Sequence, residues 1–224
     1  VINILTRTSK RPKFFDGLSD SIAEQTDKDW LWVVHSDNFS EDKDYLKEHL
    51  HIDAIVTSEP KLKKLSLYQN KQHAEGIYRC YHAPYNLYLN TLADNVYNGW
   101  VMYLDDDDAL ASPDALKTLH EAIYRADDDT LVLFNAEING RIKPDAKGVR
   151  YILSGNEPPY GSVGGICIAF HSKHLSNDLW DEWSCSDARC IGKLLAKGLK
   201  AVYVPTTITK TQQGAGNGNR NDKQ

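Results

Sequence analysis

The sequence predicts an α/β fold, a mostly parallel central sheet flanked by helices, on three observations. Short β-rich apolar runs alternate along the chain with segments whose apolar residues recur every three or four positions. Polar turns carrying Thr, Arg, Asn or Asp follow several of the runs, as they do at the carboxyl ends of strands in such sheets. The chain has 224 residues, 41% hydrophobic and 25% charged, enough to bury one large core without staples, and it shows no internal repeat.

The first strand is expected over Ile2 to Leu5, followed by the polar turn Thr6 to Arg11. Pro12 suits the first turn of a helix, where its missing N–H costs nothing, and Phe14, Leu18 and Ile22 recur on one face. A second strand, Trp30 to Val34, ends at His35-Ser36-Asp37-Asn38. A polar helix from about Ser40 to Leu50 leads to a third strand, Ile52 to Val56, and Lys61 to His73 reads as a basic loop or irregular helix. Pro84 opens a helix with Tyr85, Leu89, Leu92 and Val96 on its apolar face, stopped at Asn98-Gly99. Strand Trp100 to Leu104 then delivers Asp105, Asp106, Asp107 and Asp108 at its end.

Ser112 and Pro113 fit the N-cap and first position of the next helix, with Leu116, Leu119 and Ile123 facing inward. Leu131 to Phe134 is a buried strand, and the Gly-, Pro- and Asn-bearing stretch 138–165 reads as hairpins and loops. Ile166 to Phe170 returns as a strand. Ser186 caps a helix carrying Ala188, Ile191 and Leu195 and ended by Gly198, and Ala201 to Val204 is the last strand. Residues 1–211 are expected to form one domain. The remainder, QQGAGNGNRNDKQ over 212–224, has no large apolar residue and reads as a flexible tail or a linker toward a further domain. The chain does not begin with Met, and both features suit part of a longer multidomain protein.

Lys plus Arg number 26 against 31 Asp plus Glu, a formal charge of -5 that argues against coating nucleic acid or an anionic membrane. The N-terminal apolar run ends after five residues, too short for a signal peptide, and no run approaches the roughly 20 needed to span a bilayer. Cys80, Cys167, Cys185 and Cys190 form no CxxC pair or disulfide framework, which points to a reducing compartment, the cytoplasm.

The chemistry concentrates in the acidic run. Asp105-x-Asp107 and Asp106-x-Asp108 each place two carboxylates within reach of one hard cation, and Mg²⁺ or Mn²⁺ is the usual occupant of such an oxygen site beside phosphate. Four like charges in a row repel one another, and a dication is the simplest relief.

VMYLDDDDAL resembles the hydrophobic strand and Asp-x-Asp (DXD) motif of GT-A fold glycosyltransferases, most closely the nucleotide-sugar-dependent family 2 type. Two further stretches align in order. ILTRTSKRP with SIAEQTDKDWLWVVHSDN resembles the family's opening strand-turn-helix and second strand, and WSCSDARCIGKLLAKGLKAVYVP its acidic pair, helix, Gly, strand and Pro. Together they cover most of residues 2–205 and imply a single-domain GT-A (Rossmann-like) fold that transfers a sugar from a nucleoside diphosphate sugar, UDP-linked, to a glycan hydroxyl.

On that resemblance Thr6 and Arg7 border the base and ribose, and Asp37 takes the position that holds the base, although the family usually has two adjacent acids there. Asp105 and Asp106 lie at the donor and Asp107 on the metal, or Asp108 with the register shifted by one. Asn86 and Asn90 compete for the Asn that faces the donor from the preceding helix, Asn90 having the more usual spacing. The acidic pair maps onto Ser186-Asp187, which makes Asp187 the general base of an inverting transfer, with Asp181 and Glu182 as fallback acids. Trp180, Glu182 and Trp183 are the implied acceptor residues, since indole faces suit sugar C–H surfaces. Gly164-Gly165 offers close backbone approach to the donor sugar. No His follows His174, so the His with which some relatives complete the metal shell is missing, and Lys210, Arg220, Lys61, Lys63, Lys64 or Arg79 is left to neutralise the diphosphate.

The alternatives are a haloacid-dehalogenase-like phosphatase using Asp105 and Asp107, whose nucleophile loop normally opens its domain, and a non-catalytic glycan- or nucleotide-binding domain of the same fold. A nucleotidyltransferase would need a Gly-rich loop where TRTSKRP stands, and an EF-hand would need Gly where Leu110 stands.

Overall fold

The computed structural model describes residues 1–58, 71–73, 76–78, 80 and 82–214. Lys61, Lys63, Lys64, Arg79 and Arg220 lie outside the described residues, as does most of the polar tail.

The chain runs β1 (Ile2–Thr8), α1 (Pro12–Ala23), β2 (Trp30–Ser36), α2 (Phe39–Glu48), β3 (Ala54–Val56), and the backbone hairpin β4 (Lys71–His73) with β5 (Gly76–Tyr78). A 3₁₀ turn, Pro84–Leu87, leads through the short helix α3 (Tyr88–Thr91) to a second 3₁₀ turn, Leu92–Asn95. Next come β6 (Trp100–Tyr103), β7 (Asp108–Leu110), α4 (Ala115–Ile123), β8 (Thr130–Ile138), β9 (Arg141–Lys143), α5 (Ala146–Leu153), β10 (Ile168–His171), α6 (Ser186–Ala196) and β11 (Lys200–Thr211).

One nine-stranded sheet has the order β3-β2-β1-β6-β10-β8-β11-β7, with β9 paired to β8. The β1 pairings with β2 and β6, β2 with β3, and β8 with β11 are parallel. β10 is antiparallel to both its neighbours, β7 pairs antiparallel with the distant β11, and β9 forms an antiparallel hairpin with β8. From β1 the chain moves outward to β2 and β3, then returns on the other side as β6. The crevice between the carboxyl ends of β1 and β6 is therefore a topological switch point, where open α/β sheets bind ligands.

β1 is buried on both faces, as a central strand covered by helices on each side must be. α1 starts at Pro12 and buries Phe15, Leu18, Ser19 and Ile22, so Phe15 rather than Phe14 leads the inward stripe. Its ring stacks on Trp32 with centroids 5.1 Å apart, and full burial of such a side chain stabilises the fold by roughly 1.5–3 kcal/mol. α6 buries Ala188, Ile191, Leu194 and Leu195 and ends before Gly198, whose φ of 95° is the left-handed stop a side chain would resist.

Several expected boundaries move. β8 and β11 are far longer than the apolar cores that announce them, and β10 begins only after a 3₁₀ turn at Gly165–Cys167. The stretch 138–165 contains not only the β8-β9 hairpin but also α5, capped by Asp145, whose carboxylate accepts from Gly148 N at 2.9 Å. Lys71–His73 is a strand rather than loop or helix. Ser186 is the first residue of α6, not its cap; that position is held by Cys185 at φ 60°.

Candidate functional site

Strand register assembles the site. Leu5 pairs with Tyr103 across β1 and β6, so two residues on, Arg7 emerges beside Asp105. The guanidinium grips that carboxylate through two bonds, Nε to Oδ1 at 2.9 Å and Nη2 to Oδ2 at 2.7 Å. Its Nη1 donates to Asn86 Oδ1 at 3.2 Å, and it lies over the Tyr85 ring, 4.5 Å from the centroid. Such a planar, charge-assisted fork fixes both partners in orientation.

The acidic run divides. Asp105, Asp107 and Asp108 bring carboxylate oxygens within 4.8 Å of one another. Asp106 turns away into the structure, where it accepts from Thr8 Oγ1 at 3.0 Å and pairs with Arg11 at 3.2 Å. The shifted register, Asp106 with Asp108, thus does not form a cluster. Asp108 Oδ2 accepts from Asp105 N at 2.8 Å, which folds the run back on itself. Burial, then the charge of Asp105, pushes the carboxyls of Asp107 and Asp108 above the usual range, and burial holds Asp106 up at about 7. Three hard oxygen donors under mutual repulsion suit Mg²⁺ or Mn²⁺, whose charge would bring the protons off.

A pocket of about 270 Å³ opens beside this cluster. Arg7, Asn86, Asp105 and Asp187 supply its polar groups, and Tyr85, Tyr103, Ile166 and Trp180 its apolar wall. Asp187, partly buried in the first turn of α6, accepts from Ala188 N at 2.8 Å. Burial raises its pKa to about 6, against the smaller opposing effect of that hydrogen bond. A carboxylate that ionises near neutrality beside an open pocket has the character of a general base. Trp180 is only 6% exposed and packs edge-on to Tyr103, so it forms a wall of the pocket rather than an exposed platform. Gly165 is required here: a Cβ would come within 2.8 Å of the Trp180 ring.

Other expected residues stand elsewhere. Thr6 is fully buried and its hydroxyl accepts from the Trp32 indole at 2.9 Å, so it does not reach the pocket. Asn90 is buried too, its amide pairing with both the N–H and the carbonyl of Trp180 at 2.9 Å. Of the two competing asparagines it is Asn86 that lines the pocket. Asp37 sits at the end of β2, bound through its backbone to Thr8, outside the pocket lining. Trp183 is edge-on to His82, and neither it nor Glu182 lines the pocket. Asp181 is committed to Arg189 through bonds of 2.6 Å, which removes it as a fallback base. Lys210 lies along a separate groove with Gly17 and Asp20.

Three residues escaped the sequence reading. Arg11 pairs with both Asp106 and Asp107 and, like Arg7, sets a positive charge directly against the cluster. Tyr85 covers Arg7, and only its place beside Asn86 hinted at that. Gln212, which composition assigns to the tail, donates from its backbone to Asp107 O at 2.8 Å and from its amide to Phe14, Asp106 and Asp108 carbonyls, so it fastens the acidic run.

No family model and no curated protein sequence matches the chain. Solved structures do. TarS 1-349 from S. aureus in complex with UDP-GlcNAc superposes with a TM-score of 0.63 at 14% identity, over 96% of this chain and 59% of that one. The same TarS fragment with UDP gives 0.63 at 14%, over 94% and 60%. The mannosyltransferase PcManGT from Pyrobaculum calidifontis, with GDP-Man and Mn²⁺, gives 0.59 at 16%, over 93% and 56%. The chain has the GT-A fold of these glycosyltransferases, and it spans about three fifths of the TarS fragment's length. Among the described residues, no helix is long and apolar enough to cross a membrane.

Proposed function

We propose that this chain is a metal-dependent glycosyltransferase that moves a sugar from a nucleoside diphosphate sugar, UDP-linked, to a glycan hydroxyl with inversion. One observation carries the reading: Asp105 belongs both to the three-carboxylate cluster and to the pocket that Asp187 lines, at the switch point of a GT-A sheet. The TarS complexes with UDP-GlcNAc and UDP support the choice of UDP.

Asp105, Asp107 and Asp108 would hold Mn²⁺ or Mg²⁺, which supplies positive charge against the departing diphosphate. Arg7 keeps Asp105 oriented through its two bonds. Tyr103, Ile166 and Trp180 exclude water from one side of the sugar. Ionised Asp187 takes the proton of the acceptor hydroxyl as that oxygen bonds to the anomeric carbon. The bond to the diphosphate breaks on the opposite face, and its electron pair leaves with the diphosphate. Four free cysteines suit the reducing cytoplasm, and the longer neighbours suit a further domain beyond this one. No observation favours the phosphatase alternative, whose Asp105 nucleophile would already be held by Arg7.

Calorimetric titration of UDP tests the donor site. The wild-type chain binds UDP in Mn²⁺ and loses most of that affinity in EDTA, while Asp107→Ala binds weakly in both. Equal binding by wild type with and without Mn²⁺ contradicts the metal assignment.

A further inference from the structure

Arg189 sits two residues beyond Asp187 on α6, is 7% exposed, and does not itself line the pocket, although it bonds Ser184, which does. Its guanidinium makes four hydrogen bonds to the segment 181–184. Nε and Nη2 each reach Asp181 at 2.6 Å, and Nη2 also donates to the carbonyls of Ser184 at 3.0 Å and Trp183 at 3.1 Å. Nη1 points at the Cys80 sulfur, and the Tyr160 ring lies 5.4 Å away. The loop 181–185 is thereby wrapped around one buried cation at the point where it turns, through the left-handed Cys185, into the helix that presents Asp187. Ser186 Oγ closes the wrap by accepting from Asp181 N at 2.9 Å.

The Trp183 carbonyl is shared. It accepts from Arg189 and, at 2.9 Å, from Asn86 Nδ2, while Asn86 Oδ1 accepts from Arg7, which holds Asp105. An unbroken chain of hydrogen bonds thus joins the acidic cluster to the loop that precedes the base. Ala83 N, bound to Glu182 O at 2.7 Å, and the paired Asn90 amide stitch the same two segments on either side.

We infer that Arg189 is a positioning residue for Asp187: with Asp181 it sets the 181–185 turn, and through the Trp183 carbonyl and Asn86 it registers that turn against the donor site. This rests on the reading of the pocket as a sugar-transfer site. Arg189 touches neither donor nor acceptor, so its loss acts on the base's placement and leaves donor binding in place. Misplacement of a reacting group by about an ångström costs on the order of 100-fold in rate.

The test compares wild type, Arg189→Lys and Asp181→Asn in the full chain, reading transfer kcat, donor KM and calorimetric UDP affinity in Mn²⁺. Lys keeps the charge but cannot make the fork and the two carbonyl bonds together. Asn at 181 keeps the shape of the acceptor and gives up its charge, and it carries the test if Arg189→Lys does not fold. Transfer kcat is expected to fall by about 10- to 100-fold in each folded variant, with donor KM and UDP affinity within about 3-fold of wild type. Wild-type kcat in either folded variant overturns the positioning role and leaves the site reading intact. Equal loss of UDP affinity and of kcat overturns it as well, since it makes Arg189 a general structural support. If wild type transfers from no nucleotide sugar, the site reading itself fails and the inference falls with it.

Discussion

Adjacent residues on a strand point to opposite faces, and that parity decides which half of Thr6-Arg7 meets the site. Arg7 faces Asp105, so Thr6 must face inward, where its hydroxyl satisfies the Trp32 indole. Asp106 is separated from the three clustered acids by the turn between β6 and β7, which aims its carboxylate at Thr8 and Arg11. For Asp187 the consequence is kinetic. A base must be ionised to accept a proton, and burial raises its pKa to about 6, so transfer kcat/KM rises with pH up to about 6 and levels above it. Below that point the rate drops roughly tenfold per pH unit. Asp187→Asn removes this limb and leaves a low residual rate. A pH profile of the wild type that is flat between pH 4.5 and about 7 would contradict the assignment of Asp187 as base. The positions of the cluster and of Asp187 beside the pocket were legible in the sequence because each stands at a sequence-visible boundary, a strand end and a helix start. Which of Asn86 and Asn90 lines the pocket was not legible: the segment opens as a 3₁₀ turn, and a spacing argument that assumes a regular helix favours Asn90, whereas Asn86 is the one in the pocket lining.

Elements were legible where the apolar period is regular, as in α1, α4 and α6, although Asp114 rather than Ser112 precedes α4 and Cys185 rather than Ser186 precedes α6, and poorly legible where backbone pairing takes over from side-chain burial. β11 extends through Pro205 and the Thr-rich run to Thr211, absorbing two register shifts against β8, because strand pairing rewards backbone bonds that leave no hydrophobic signature. That extension delivers Gln212 to the acidic run. α5 was hidden among Gly, Pro and Asn, yet it is amphipathic and starts from a side-chain cap at Asp145. Asp145→Ala should lower stability by about 1 kcal/mol through the loss of that cap. Chemical denaturation measures this, and an unchanged midpoint would show that α5 is held by its packing alone. Asn90 illustrates the converse, a residue read as functional whose amide is occupied in holding the Trp180 peptide.

At the scale of the whole molecule, a formal charge of -5 says little about an anionic ligand, because charge is not spread evenly. Three acids converge on one point, two arginines face them, and the apolar wall of the pocket stands beside that point. A bound dication would reverse the local sign where a diphosphate has to sit. The GT-A architecture was legible from the order of three motifs along the chain, and the mixed strand directions at β10 and β7 were not, since apolar runs carry no direction. The central claim, that this fold, cluster and base act together in sugar transfer, is tested most directly by nucleoside diphosphate release across a panel of nucleotide sugars in Mn²⁺, wild type beside Asp187→Asn. The account predicts release from a UDP-sugar by wild type, stimulated by a glycan acceptor and lost in the variant; no release from any donor, or release of inorganic phosphate from sugar phosphates instead, would contradict it.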